Sequence, residues 1–241
     1  MKLKFTIILL FSVLSTPMLA QESSKVYRPD IPGLLMIDYG VNGTIDSPDE
    51  FEKGWFGSRT VNIYYYYPLR LWKSKLTFNA GIGLGFDRFK FTNYHYLADT
   101  AVQDGVFQLV PNTVSLDSVT FPGIKKSFLS MNYLDIPIEF RYNLNPDDLN
   151  RTFWVAVGAR AGWMFNASTK IKQKVDGEKI VHKDKYRQGL NQFRYGATLR
   201  IGVGNFNWFA FYNLSPLFEK DKGPSATQMT TWTIGISLTG L

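Results

Sequence analysis

The sequence predicts an all-β protein, a transmembrane antiparallel up-and-down β-barrel of about eight strands. Three observations carry that prediction. Apolar and polar residues alternate with period two in segment after segment, the connections between segments alternate long and short, and the chain opens on an export signal.

The signal is residues 1–20. Lys2 and Lys4 precede the apolar stretch Phe5 to Leu14, then Ser15, Thr16, Pro17 and Ala20, with cleavage expected before Gln21. The stretch is shorter than the roughly 20 residues a spanning helix requires, and no later segment supplies such a helix. Loss of Lys2 and Lys4 takes the formal charge from +7 to +5. That modest surplus, scattered over predicted loops, does not make a nucleic-acid footprint, so no nucleic-acid partner is expected. With 45% hydrophobic and 16% aromatic residues the chain has ample core-forming material, which excludes disorder as its ground state. Cysteine is absent, so an exported chain must draw its stability from a core or from a sheet closed within a membrane.

The strands are read in order at 34–43, 59–67, 75–90, 127–142, 152–169, 189–203, 207–214 and 228–239. Residues 21–33 precede them as a periplasmic N-terminal segment, and 34–241 form the barrel. The connections 44–58, 91–126, 170–188 and 215–227 are long. Those at 68–74, 143–151 and 204–206 are short, with Pro68, "NLNPDDLN" and "GN" as turn chemistry. Long loops on one rim and tight turns on the other are the plan of an outer-membrane barrel, and an even strand number puts both termini on the short-turn, periplasmic side.

The alternation is plainest in "FWVAVGARAGWMF", residues 153–165. Phe153, Val155, Val157, Ala159, Ala161, Trp163 and Phe165 form one row, while Gly158, Arg160 and Gly162 lie on the other. The same split recurs in "KLTFNAGIGLGFDRF", "QFRYGATLRIGV" and "TWTIGISL". A charged side chain on a lipid-facing position near the midplane costs on the order of 2–4 kcal/mol, so the charged rows are assigned inward. A soluble lipocalin-like carrier of an apolar ligand would exchange the rows. The glycine-rich polar row, poor in Lys and Glu, argues against it.

The inward rows carry Asp38, Asp87, Asp135, Glu139, Arg141, Arg160, Arg194 and Arg200, four acids and four bases. An eight-stranded barrel is just wide enough for side chains to fill, so these groups are expected to pair across a closed lumen. Glu139 is the favoured partner of Arg160, with Asp135 next. The outward rows end in aromatics suited to the two membrane interfaces: Tyr65, Tyr67, Phe153, Trp163, Trp208 and Trp232, with the whole Tyr64–Tyr67 run and Tyr142 assigned to the periplasmic girdle.

Neither catalytic motif nor cofactor site is recognisable. His95 and His182 fall in different long loops, and a lipid-modifying enzyme would have to gather residues such as His95, Ser115 and Asp117. Function is expected in the loops: "KIKQKVDGEKIVHKDK" reads as a hairpin prolonging two strands, its lysines able to meet lipid phosphates or acidic glycans. The 91–126 loop, with Phe107, Leu109, Val110, Val119 and Phe121, is suited to capping the barrel or docking a partner.

"YLDIPIEFRYNL" (133–144), "LSPLFEKDKGP" (214–224) and the closing "WTIGISL" resemble recurring segments of the Bacteroidetes outer-membrane β-barrels of the PorT family. The resemblance spans residue 34 to the end. It implies an outer-membrane location and, through the founding member of that family, a link to type IX protein secretion. Expected partners are outer-membrane lipid and lipopolysaccharide, the barrel-assembly machinery during insertion, and a secretion or surface protein. Pro137 interrupts the pattern, and a bulge is expected there.

Overall fold

The computed structural model describes residues 33–47, 57–71, 74–91, 124–145, 152–175, 177–185, 189–220, 222 and 228–240, with the backbone of four short stretches inside the 91–126 connection. The export signal and nearly all of the 21–33 segment lie outside the described residues, as do His95 and Asp117.

Eight long strands close on themselves: β1 (Leu34–Ile45), β2 (Arg59–Arg70), β3 (Leu76–Phe91), β4 (Ile124–Asn143), β5 (Phe153–Val175), β6 (Phe193–Val203), β7 (Phe206–Asn213) and β8 (Thr230–Thr239). Each pairs antiparallel with its neighbours in sequence, and β8 pairs with β1 to complete the cylinder. Tracing directly opposed residues once around runs Arg59, Val41, Ile234, Ala210, Leu199, Val157, Phe140, Phe78 and Leu69. The circuit leaves β2 at residue 59 and returns at residue 69, a stagger of ten. With strands ~4.8 Å apart and ~3.3 Å per residue, that stagger tilts the strands by roughly 40°.

The facing follows the alternation. Val157 is 55% exposed on the outer wall and Arg160 only 3% exposed in the lumen. β6 alternates exposed and buried at every residue from Phe193 to Val203. Phe209 and Phe211 face the lumen at the level of Arg200 and Thr198, and further apolar groups cluster nearer the ends. Phe89, Leu129, Met164, Leu190 and Phe218 pack at the long-connection end, and Met36 with Tyr64 and Tyr66 form a second cluster.

Two prolines behave differently from the sequence expectation. β2 runs through Pro68, which stands opposite Asn79, instead of turning there. The last pairing of β2 with β1 is at Tyr66, so Pro68 lies past that neighbour and its missing N–H breaks no ladder on that side. Pro137 is not the site of the bulge. Its pairing with β5 is regular, opposite Arg160, and the β3 ladder passes over Ile136 and Pro137 without a change of register. The bulge lies a few residues away, where Asn132 faces Asn166 but Tyr133 faces Met164, leaving Phe165 as the extra residue of β5. It inverts the parity of β5: even positions up to Met164 face inward, and Ala167, Thr169 and Ile171 take over beyond it.

Beyond the cylinder, β5 pairs with a returning strand, Glu178–Asp184, forming the hairpin read in the sequence. Within the 91–126 connection, Leu97–Asp99 pairs with Val114–Leu116 and Val102–Gln103 with Val106–Phe107. β6 and β7 are joined by Gly204 and Asn205, with Gly204 at φ 55°. A side chain at Gly204 meets the left-handed penalty, so Gly204→Val should lower the unfolding free energy by about 1–2 kcal/mol, read from urea unfolding of the refolded protein in micelles.

Candidate functional site

Two ion clusters occupy the middle of the lumen, and both are anchored by β6. Arg200 donates from Nη1 and Nη2 to the two carboxylate oxygens of Asp38 on β1, 2.8 Å each, and from Nε to Glu139 Oε1 on β4, also 2.8 Å. The Tyr66 hydroxyl donates to the same Glu139 oxygen at 2.8 Å, and Asn62 donates to Asp38 at 3.3 Å. Six positions earlier on the strand, Arg194 grips Asp135 through Nε at 3.1 Å and Nη2 at 2.6 Å, and Asp87 on β3 through Nη1 at 2.5 Å. Tyr64 donates to Asp135 at 3.0 Å, and Thr60 lies 2.7 Å from Asp87 Oδ1. One guanidinium therefore reaches around the lumen to β1 and the other to β3.

The backbone has to make room for such pairs. Asp135 and Arg194 stand on opposite sides of Gly162, each directly opposed to it. A Cβ on Gly162 would sit 2.1 Å from Asp135 Oδ1, and one on Gly85 would sit 2.3 Å from Arg194 Nη2. Glycine on the polar rows is thus the space the ion pair occupies.

Arg160 departs from expectation. Glu139 is not its partner, because Glu139 belongs to Arg200 and Tyr66. Arg160 stands opposite Pro137, midway between Asp135 and Glu139 along β4. Its Nη1 donates to the Tyr64 hydroxyl and lies 4.0 Å from Asp135 Oδ2, while its guanidinium stacks 3.5 Å over the Phe211 ring. Arg141 also lacks the carboxylate expected for it among the described residues. It lies 3.9 Å over the Trp154 ring and donates to Asn143 Oδ1 at 2.9 Å, since the nearest acid, Glu139, is already committed.

The tyrosine run is divided by its own alternation. Tyr65 and Tyr67 are exposed on the outer wall, with Phe153, Trp163, Trp208 and Tyr142, and Trp232 faces outward half-buried over Gly43. Tyr64 and Tyr66 do not join the girdle. They are buried lumen residues bound to the two acids. The parity of "TVNIYYYY" carried the signal, since both share a row with Thr60 and Asn62.

Above the ion clusters the lumen is roofed. Leu190 bridges Phe218, Asn191 N donates to Leu217 O at 2.9 Å, and Leu217 N donates to Met229 O at 2.8 Å, so two connections are tied together over the mouth. A depression of about 260 Å³ lined by Ala197, Leu199, Ala210, Tyr212, Trp232 and Ile234 opens on the outer wall. Among the described residues, no group of three His, Cys, Asp or Glu side chains could hold a metal ion. Of the three residues named for an enzyme, Ser115 is described by its backbone alone, and His95 and Asp117 lie outside the described residues; the other histidine, His182, is an exposed residue of the hairpin.

Residues 40–215 match the family profile described as an outer membrane protein beta-barrel domain. The chain belongs to that family. The outer-membrane barrel is also similar to the crystal structure of Ail, the attachment invasion locus protein of Yersinia pestis, at 14% identity over 86% of this chain and 97% of that one, with a TM-score of 0.33. None of the curated proteins compared with it matches. Family membership puts the barrel in the outer membrane, where the exposed apolar rows meet hydrocarbon and the arginines are enclosed.

Removing one partner of a buried ion cluster leaves the others uncompensated. Arg194→Leu should lose about 3–5 kcal/mol of stability, and adding Asp87→Asn, which restores equal numbers of acids and bases and keeps Asp135 beside Arg160, should recover part of it. Urea unfolding in micelles reads both, and a double variant no better than the single one would refute the pairing energetics.

Proposed function

We propose that this outer-membrane barrel is non-enzymatic and non-conducting, a rigid anchor whose task is done by the segments standing outside the membrane. The observation that carries the reading is the state of the lumen: Arg194 and Arg200 each hold two carboxylates, and Leu190, Phe218 and Met229 are tied over the mouth. A catalytic acid or an ion path needs a side chain or a channel left free, and these groups hold one another. β4 and β5, by contrast, run for 20 and 23 residues, far beyond the roughly 9–11 a membrane crossing takes. Strand length spent outside the bilayer is surface for contact.

Both termini lie on the short-turn, periplasmic side in this reading, and the 170–188 and 91–126 connections face outward. The segments at 133–144, 214–224 and 232–238 resemble those of PorT-type barrels. We therefore assign the protein an accessory part in protein secretion or envelope assembly, with a secretion or surface protein as partner. Affinity capture of the tagged protein from its own envelope, with residues 91–126 intact or deleted, tests this. A stoichiometric partner lost on deletion supports it, and an identical set of captured proteins in both samples removes it.

In planar bilayers the reconstituted protein should give no resolved current steps, and alkaline carbonate should leave it in the membrane fraction. Regular unitary conductance would overturn the closed-lumen reading.

A further inference from the structure

The outward face of the barrel is apolar up to its long-connection end, and there one half of the circumference turns basic. On β3 the outward row Leu84, Phe86 continues into Arg88 and Lys90, and on β2 Arg59 precedes Val61 and Ile63. The row continues sideways through β4 and β5: Lys90 faces Phe128, which faces Lys170, which faces Lys183, and one step higher Lys126 faces Lys172. Higher still, Lys174 faces Lys179.

The bulge at Phe165 creates this arrangement. Without its parity change Lys170, Lys172 and Lys174 would share the inward row with Arg160. With it they share the outer face with Trp163 and Phe165. Glu178, of the same hairpin, takes the other face with His182, which stands opposite Ile171. Among the described residues none of these outward cations has a carboxylate within ion-pair distance. The outward rows of the opposite half end in Phe193, Leu214, Thr230 and Ile45, none of them charged; the described lysines there, Lys220 and Lys222, lie in the connection between β7 and β8, and Lys222 is paired with Glu219.

Arg59 and Arg88 stand directly opposite each other, a like-charge pair that is unfavourable on a sheet face. Arg88 lies 3.8 Å over the Phe128 ring, and Arg59 Nη1 donates to the Tyr39 hydroxyl at 3.3 Å. Two guanidinium groups on facing positions at the upper edge of a hydrocarbon-facing wall suit an anion between them whose remainder is apolar.

We propose that the outward crescent of Arg59, Arg88, Lys90, Lys126, Lys170 and Lys172 binds the phosphate groups of an outer-leaflet glycolipid. The acyl chains lie on the wall below, along Phe86, Leu84 and Leu134, and the sugar phosphates reach the cations where the apolar rows end. Continuity with the apolar band favours a lipid phosphate over a free anion, which would have no use for that wall. The inference rests on the orientation given above, with the long connections outside.

The test uses the mature chain refolded in detergent. Native mass spectrometry counts bound diphosphorylated lipid A, its dephosphorylated form as control, and diphosphorylated lipid A in the presence of inorganic phosphate. The wild type should prefer the phosphorylated lipid by at least about tenfold, and that preference should weaken steeply with added salt. Arg59→Gln/Arg88→Gln/Lys90→Gln/Lys170→Gln should abolish the preference while keeping the heat-dependent gel shift of a closed barrel. Lys174→Gln/Lys179→Gln, at the hairpin tip, should leave it within about twofold. Equal binding of the two lipids by the wild type, or full displacement by millimolar inorganic phosphate, overturns the proposal without needing a variant. Orientation is read separately, by labelling intact cells with a membrane-impermeant amine reagent. Label on the hairpin together with no lipid preference sinks the lipid site alone, whereas an unlabelled hairpin sinks the orientation.

Discussion

Closure of the sheet is the constraint on which everything else in this molecule depends. A spanning strand must pair every backbone group, so eight strands bend into a cylinder, and a cylinder of eight has an interior only as wide as its own side chains. Any charge placed on an inward row is then enclosed with whatever the other rows bring to the same level. Arg194 and Arg200 meet this condition by reaching acids on strands far from their own, Asp87 and Asp135 for one, Asp38 and Glu139 for the other. Asp38 and Arg200 are 162 residues apart in the chain. Such contacts form only when the cylinder is closed, so the ion clusters select the closed register over slipped ones.

The stagger of ten decides which charges meet. Because the strands are tilted, groups at one level of the lumen come from different positions along each strand, and a partner cannot be chosen by counting residues in from the turns. This explains why the facing of Val157 and Arg160 was legible from alternation, while the partner of Arg160 was not. Alternation is a local property of one strand. Pairing across the lumen is a property of the whole register, which depends on Gly162 and Gly85 leaving room and on the bulge at Phe165.

The same distinction separates the other readings. The eight strands were located to within a few residues because glycine, asparagine and proline punctuate them. Pro68 signals a turn because proline ends most ladders, yet it lies inside β2 because that strand has already outrun its β1 neighbour. By composition the Tyr64–Tyr67 run suits a girdle, whereas its parity splits it between lipid and lumen. For Phe165 no signal was visible in the sequence, since an extra apolar residue in an apolar row looks like more of the row.

That unmarked residue has the widest consequence. On the near side of the bulge, β5 sends Arg160 into a lumen whose eight named charges are four acids and four bases, so the enclosed space is neutral as a whole. The formal +7 of the chain, two of it from Lys2 and Lys4, therefore comes from residues other than these eight. On the far side of the bulge, three lysines of the same strand are turned out to join it. A single inserted residue thus converts a row that would have overloaded a closed interior with positive charge into an exposed cationic face. The interior tolerates no such surplus, because a buried cation without its acid costs several kcal/mol, whereas at the membrane edge the same charge is solvated and available to an anion. The bulge is what allows one strand to serve both environments.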